Sequence, residues 1–542
     1  MSQRVEPSTL VDTFPDPEAA SNVLYNPSFE QLRDHARHEE TPTEYGSPRY
    51  ISEQKSRSAD RTKNLVDDEF SGEDWDAIRE AVSAFDSREF VCLDRRVGRH
   101  PDSSYTPGRD SVTRQDTIST SPDRNSPDLC RDDSAESPPG VYTCRLFVPR
   151  SYARIALAWG KLLEPAQCEP AFQTLQLPDW DEPRGRQRRI RVLPDTGLTF
   201  VLGSDYTGEA KKSFLRLYMY RTKQQGGLGI HAGSKRVTIE RDGDLETVGQ
   251  AFLGLSATGK STLTGHGCWL DDPEGAEMLQ DDVCALTADG AVHGSEGGGL
   301  YIKTDGLDGD EQPALYHTAT HESAVLENVT VDSDGTVDFD DTELTCNGRA
   351  VIRREHLDSA ADDIDMADVD QVFFITRNPM MPPVAKLSDR QAGVAFMLGE
   401  SIQTSAGDPD AAGESIRVVG TNPFIIGLEG EEGNRFYDLV SSNDCDCYLL
   451  NTGHVGPAKT DIGVHESVQI LVSIARDEVA WQYDGTLGME LPAELPGLDL
   501  DAFYPPDHYD DFEAELANLR AERWAYLAQF EHLDRAITDA VY

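Results

Sequence analysis

The run Phe252-Leu253-Gly254-Leu255-Ser256-Ala257-Thr258-Gly259-Lys260-Ser261-Thr262 carries the residue types that hold a triphosphate. From Gly254 to Ser261 it fits GxxxxGK[ST], whose glycines let backbone N–H groups turn inward around phosphate oxygens. Lys260 would reach the outer phosphates, and the Ser261 hydroxyl would ligate the nucleotide's magnesium. Downstream, Asp281-Asp282 interrupts the apolar stretch Met278 to Leu286. Two adjacent carboxylates in an apolar strand are costly unless a cation neutralises them. In a phosphate-loop protein that cation is usually the metal.

Other segments carry polar groups at turns. Lys211 and Lys212 stand side by side in a chain with only 11 lysines. His231 follows in Gly229-Ile230-His231-Ala232; a lone histidine is more often a satisfied structural residue than a ligand. Glu296-Gly297-Gly298-Gly299 leads to another rare lysine, Lys303, and Asn347-Gly348-Arg349 presents one guanidinium at a turn. Asn451-Thr452-Gly453-His454 ends an apolar strand, where a strand's C-terminal end could meet ligand.

These groups need elements to position them. Val248 to Leu255 reads as a buried strand feeding the loop, and a helix opening near Lys260 would aim its positive end at the same anion. Val141 to Val148, Arg189 to Val192, Leu198 to Leu202, Val369 to Thr376 and Cys447 to Asn451 are strand-like, and Met278 to Leu286 reads as one interrupted strand. Helical spacing marks Asp74 to Phe90, Tyr152 to Leu163, the segment after Lys212 and the C-terminal region from Phe512. Residues 1–70 are polar and poor in aliphatics, so much of this segment is expected to be loose. Polarity returns from Arg99 to Gly140, read as a long insertion.

Composition narrows the setting. The 542 residues suffice for two or more domains. Ninety-seven acidic residues against 49 basic ones give a net charge of −48, spread along the whole chain. Such a surface repels itself in dilute salt; at molar salt the Debye length falls to about 3 Å, so a salt-rich cytoplasm is the simplest explanation. The charge repels nucleic acid, and no basic stripe attracts it. No uncharged apolar run approaches the ~20 residues of a membrane span, and no signal peptide opens the sequence. The nine cysteines form no C-x-x-C pair and read as free thiols of a reducing compartment.

Taken together, the motifs resemble those of the ATP-dependent phosphoenolpyruvate carboxykinase family. Tyr206 to Lys212 resembles its Tyr-x-Gly-Glu-x-Lys-Lys, and Gly254 to Thr262 its Gly-Leu-Ser-Gly-Thr-Gly-Lys-Thr-Thr. Asp281-Asp282, Glu296-Gly297-Gly298, Leu326-Glu327-Asn328-Val329 and Asn451-Thr452-Gly453 match further motifs in order. The resemblance implies a gluconeogenic reaction in which oxaloacetate and ATP give phosphoenolpyruvate, ADP and carbon dioxide. It implies Mn²⁺ held by Lys212, His231 and Asp282, and Mg²⁺ brought with ATP and met by Ser261. Lys260 and Lys303 would bind ATP phosphates, with Gly254, Leu255, Ser256, Ala257, Thr258, Gly259 and Thr262 forming the loop around them. Arg349 would contact substrate and the moving phosphoryl, Tyr206 would lie beside oxaloacetate, and Ser256 would sit near the transferring group. The family's N-terminal substrate arginine has one candidate here, Arg109 in Pro107-Gly108-Arg109-Asp110-Ser111.

The expected fold is α/β in two lobes, a mixed-sheet substrate-side lobe over 71–227 and a nucleotide-binding lobe over 228–542, with the active site in the cleft. A cytoplasmic enzyme with small-molecule partners follows, its oligomeric state open with a monomer favoured. Two other readings stand beside it: another phosphate-loop kinase, of a small molecule or a protein, and a nucleotide sensor of the same fold whose substrate lobe has drifted.

Overall fold

Alternation with a period of two builds the first sheet. In the strand Phe90–Gly98, Phe90 and Cys92 face one cluster of buried side chains while Val91, Leu93 and Val97 face another. In this computed structural model, residues 6–98, 140–166, 168–180, 188–255, 258–310, 312–402 and 415–542 are described. The sheet runs in the order Val23–Tyr25, Phe90–Gly98, Val141–Pro149, Phe172–Leu177, Leu198–Leu202, Arg189–Leu193, Thr62–Asn64. The helices Ala153–Leu162 and Thr207–Gln224 cover one face, and the helix Gly72–Ser83 covers the other. All of Ala153–Leu162 except Lys161 is buried, as its near-continuous apolar run requires.

The second sheet has eight strands, in the order Gly275–Gln280, Ala232–Arg241, Asp244–Leu253, Gln371–Thr376, Asp446–Asn451, Val384–Leu387, Met489–Glu494, Ala480–Asp484. Its three central strands, Asp244–Leu253, Gln371–Thr376 and Asp446–Asn451, are parallel. Their C-terminal ends therefore lie together, the place where open α/β sheets bind ligands. Both faces of these strands are packed against apolar side chains. The phosphate loop leaves the first strand, and Asn451 closes the third.

Two expectations change. Residues 6–70 are not loose: Pro48–Tyr50 pairs in parallel with Val325–Glu327, in a five-stranded sheet with Gly299–Lys303 and Arg349–Arg353. Tyr50 is buried. A segment too polar to form its own core is ordered here by strands supplied from far along the chain. The stretch Met278 to Leu286 is two strands in different sheets: Gly275–Gln280 in the second sheet, Cys284–Leu286 in a three-stranded sheet with Leu228–Ile230 and Val292–Gly294. The chain breaks at the two carboxylates.

Among the described residues, seven cysteines are free thiols, six of them buried, whereas Cys168 is engaged in a disulfide, against the reading of free thiols throughout. Among the described residues, no helix is long and apolar enough to cross a membrane.

Candidate active site

The helix Thr207–Gln224 points Lys211 and Lys212 at Asp282, the second of the two carboxylates that break the strand. Lys211 Nζ lies 2.7 Å from Asp282 Oδ2 and 2.9 Å from Glu296 Oε2, and Lys212 Nζ bonds the same Asp282 oxygen. His231 Nε2 is 3.1 Å from Asp282 Oδ1 and 3.5 Å from Lys260 Nζ. Lys212, His231 and Asp282, from three distant segments, thus converge beside the phosphate-loop lysine. Asp282 holds φ +145°, a backbone region in which only glycine is comfortable. Such strain persists where the surroundings over-determine it, and it clusters at functional sites.

Burial and neighbouring charge set the protonation states. Burial lowers the Lys212 ammonium to about 7, with the charge of Lys211 pushing the same way against the pull of Asp282. Lys211 is desolvated too, yet Asp282 and Glu296 more than offset this and raise it above the usual lysine value. Burial and the Lys260 charge lower His231 to about 4, so its imidazole is neutral near pH 7. Desolvation works against the Asp282 carboxylate, but Lys211, Lys212 and His231 hold it well below the usual range. Glu296 is pushed up to about 7 by burial, despite Lys211. The result is a neutralisable amine, a neutral imidazole and a firmly ionised carboxylate around one point. That is a donor set suited to a divalent cation. No group of three or more His, Cys, Asp or Glu among the described residues is arranged to hold a metal; this set has two such residues and completes itself with a lysine.

The phosphate loop is anchored from both sides. Thr258 Oγ1 donates to Leu255 O at 2.8 Å, and Thr452 Oγ1 donates to Thr258 O at 2.7 Å. Gly259 has φ +92° at the helix N-cap, so its freedom is conformational. Gly254 serves space instead: a Cβ there would lie 2.6 Å from Thr258 Oγ1 and 3.1 Å from Ile375 Cβ. Ser256 and Ala257 lie outside the described residues. Thr262 follows Lys260 and Ser261 in the short helix Lys260–Gly265. Ser261 Oγ donates to Asp281 Oδ2 at 2.8 Å, while the buried Asp281 Oδ1 has no hydrogen-bond partner. The first carboxylate of the pair therefore faces the phosphate loop and the second faces the lysines.

Arg349 and Lys303 are cross-strand partners in the five-stranded sheet. Arg349 donates through Nε and Nη2 to Asn347 Oδ1 at 3.2 and 2.7 Å, and Asn347 Nδ2 donates to the Tyr206 hydroxyl at 3.2 Å. Lys303 Nζ sits 2.9 Å from Asp305 Oδ2.

Sequence reading missed several contributors. Arg57 lies with its guanidinium 4.2 Å from the Phe424 ring centre, a ring also approached by Lys212 at 4.7 Å and Arg216 at 5.7 Å. Burial lowers the Arg57 pKa, with Glu209, Asp282 and Tyr206 opposing. The signal was present as an arginine between serines, Ser56-Arg57-Ser58, but it lay in a segment set aside as loose. Arg109 lies outside the described residues. The Leu326 to Val329 motif acts by support: Glu327 Oε1 accepts from Thr207 N and Oγ1, both at 3.1 Å, capping the lysine helix. Asn328 Oδ1 accepts from Ser52 N and Lys55 Nζ, both at 2.9 Å, fixing the segment that leads to Arg57.

A glycine-rich loop at the C-terminal end of parallel strands, with lysine, serine and a paired aspartate around it, places this chain among mixed α/β proteins of several sheets that carry the GxxxxGK[ST] pattern. Comparison with known proteins narrows the class. A family model described as phosphoenolpyruvate carboxykinase matches residues 145–501. The phosphoenolpyruvate carboxykinase (ATP) of Aeropyrum pernix is 39% identical over 386 residues, covering 70% of this chain and 76% of that one. Those of Azorhizobium caulinodans and Mesorhizobium japonicum are 29% and 28% identical, covering 63% and 70% of this chain and 64% and 71% of theirs. The chain belongs to the ATP-dependent phosphoenolpyruvate carboxykinase family.

Proposed function

We propose that this protein converts oxaloacetate and ATP to phosphoenolpyruvate, ADP and carbon dioxide. The observation that carries the reading is the meeting of Lys212, His231 and Asp282 within reach of Lys260. The reading places the reaction in a cleft between the lobe built on the first sheet and the lobe built on the second. It assigns Mn²⁺ to Lys212, His231 and Asp282, and nucleotide-borne Mg²⁺ to Ser261 with Asp281; bound there, the ions supply positive charge that stabilises enolate and phosphoryl oxygens.

The chain's own side chains do the rest. Arg57 and Arg349 present guanidiniums suited to the two carboxylates of oxaloacetate, and Tyr206 orders that pocket through Asn347. As the C–C bond breaks and carbon dioxide leaves, charge gathers on the enolate oxygen. In this reading Lys212 and Arg349 meet that charge. The enolate oxygen then attacks the γ-phosphorus in line while the bond to the β-phosphate oxygen breaks, with Lys260 balancing charge on the phosphates. Lys211, held charged by Asp282 and Glu296, keeps its neighbour Lys212 deprotonatable.

The experiment that tests the reading measures phosphoenolpyruvate formation from oxaloacetate in molar KCl, with ATP and GTP compared. ATP-supported turnover is expected. ATP binding without any oxaloacetate turnover would favour another phosphate-loop kinase, and binding without phosphoryl transfer to any acid tested would favour a nucleotide sensor.

The Lys212 ammonium also fixes a pH dependence. His231 is already neutral and Asp282 ionised above about pH 5, so Mn²⁺ should displace one proton, that of Lys212, below about pH 7. Mn²⁺ affinity should rise about tenfold per pH unit from pH 5 to 7 and level off above. A calorimetric or spin-probe titration showing a flat profile below pH 7 would remove Lys212 from the ligand set.

A further inference from the structure

The helix Thr207–Gln224 carries a further cation on the stripe that bears Lys212. Glu209, Lys212 and Arg216 follow one another at three- and four-residue steps, so their side chains share one helix face. Arg216 is 6% exposed, and its guanidinium makes no hydrogen bond or ion pair with any of the described residues. It faces the Phe424 ring, whose centre lies 5.7 Å from its Cζ; Arg57 approaches the same ring to 4.2 Å and Lys212 to 4.7 Å. Arg57 is likewise without a hydrogen bond or ion pair among the described residues.

The nearby carboxylates are committed or out of reach. Glu209 acts on both guanidiniums, yet it stands beyond ion-pair distance of each, and its Oε1 accepts from Ser58 N. Asp282, which also acts on Arg57, is held by Lys211, Lys212 and His231. An aromatic face attracts cations but offsets only part of what burying a charge costs. Burial lowers Arg216 to about 10, with Glu209 opposing and Arg57 adding, so the guanidinium stays charged near pH 7. The ring itself is fixed. Phe424 is buried, its N–H donates to Asn422 Oδ1 at 3.0 Å, and Asn422 Nδ2 reaches Met219 Sδ at 3.4 Å on the same helix. His231 stands T-shaped to it, the ring centres 6.2 Å apart. Two unpaired guanidiniums and two of the groups gathered at Asp282 thus surround one ring. A buried cation that the protein leaves unpaired calls for an anion from outside it.

We propose that Arg216 is a further substrate-binding residue, closing with Arg57 on one carboxylate of a dicarboxylic acid, so that the pocket selects dicarboxylates over monocarboxylates. A carboxylate offers about four lone-pair positions, enough for two guanidinium forks. The second fork sharpens the choice, because a ligand lacking that carboxylate leaves both cations buried and unpaired. The assignment rests on the substrate role proposed above for Arg57; binding of a dicarboxylate between the two arginines does not require turnover. The empty clamp also costs stability. Arg216→Met, unbranched and apolar, should therefore melt higher than the unaltered chain when no ligand is present.

The test titrates the full chain in molar KCl with malonate, with pyruvate as the monocarboxylate arm, and repeats both with Arg216→Gln and Arg216→Lys. Malonate affinity is expected to fall about tenfold in Arg216→Gln. Arg216→Lys, which keeps the charge and loses the fork, should retain part of it, and pyruvate affinity should be the same in all three proteins. In the oxaloacetate assay Arg216→Gln should raise KM for oxaloacetate about tenfold and leave KM for ATP unchanged. Equal malonate binding by Arg216→Gln and the unaltered chain, or none by either, would overturn the proposal. Equal loss of malonate and pyruvate, or a lower ligand-free melting temperature for Arg216→Met, would overturn it too, making Arg216 a structural residue. Malonate bound through Arg216 by a chain that turns over no oxaloacetate would keep the clamp and remove the reaction.

Discussion

Asp282→Asn is expected to lower kcat for phosphoenolpyruvate formation on the order of 10³-fold, the largest single-residue effect at the site. One carboxylate there faces Lys211, Lys212 and His231, and the amide can neither balance their charge nor serve as an anionic ligand. The metal-free protein should suffer as well. Removing one partner of a buried ion cluster typically costs about 3–5 kcal/mol, because Lys211 then has only Glu296 to offset it. Thermal unfolding without metal and steady-state kinetics with saturating Mn²⁺ check both parts. ATP binding should persist within a few-fold, since Lys260, Ser261 and Asp281 are untouched. Turnover within tenfold of the unaltered enzyme would sink the proposed metal cluster, whatever happened to stability.

Arg57→Gln should raise KM for oxaloacetate about 10²-fold, equivalent to about 2.7 kcal/mol, and leave KM for ATP nearly unchanged. The guanidinium is the group that a carboxylate of the substrate would meet bidentately, and glutamine offers neither its charge nor its fork. Its placement against Phe424 supports that role, since the ring holds Arg57, Lys212 and Arg216 around one apolar surface without neutralising any of them. Arg57→Lys, which keeps the charge and loses the fork, should recover only part of the loss. Equal damage to both substrates' KM values would instead assign Arg57 to the general integrity of the lobe.

Much of the nucleotide side was legible from the chain alone because its chemistry is local. Gly254, Gly259, Lys260 and Ser261 lie within eight residues, and the strand and helix around them are contiguous in sequence. The helix bearing Lys211 and Lys212 and the carboxylate pair were equally visible, since rare lysines and acids in an apolar run are conspicuous one residue at a time. The division of labour between the two aspartates was not. Asp281 turns to Ser261 and Asp282 to the lysines because the chain changes sheets between Gln280 and Cys284, with Asp282 in a strained conformation.

The substrate side depended on the tertiary fold. A polar segment reads as loose when judged by the core it can build for itself, and residues 6–70 can build little. Their order comes from pairing with Val325–Glu327 and from Asn328 and Glu209 gripping the backbone at Ser52 and Ser58. Those partners lie more than 150 residues away in sequence, beyond what period or composition can report. Residue type and spacing thus determined which groups could bind phosphate and metal; only the packing of distant strands decided which arginine faces them.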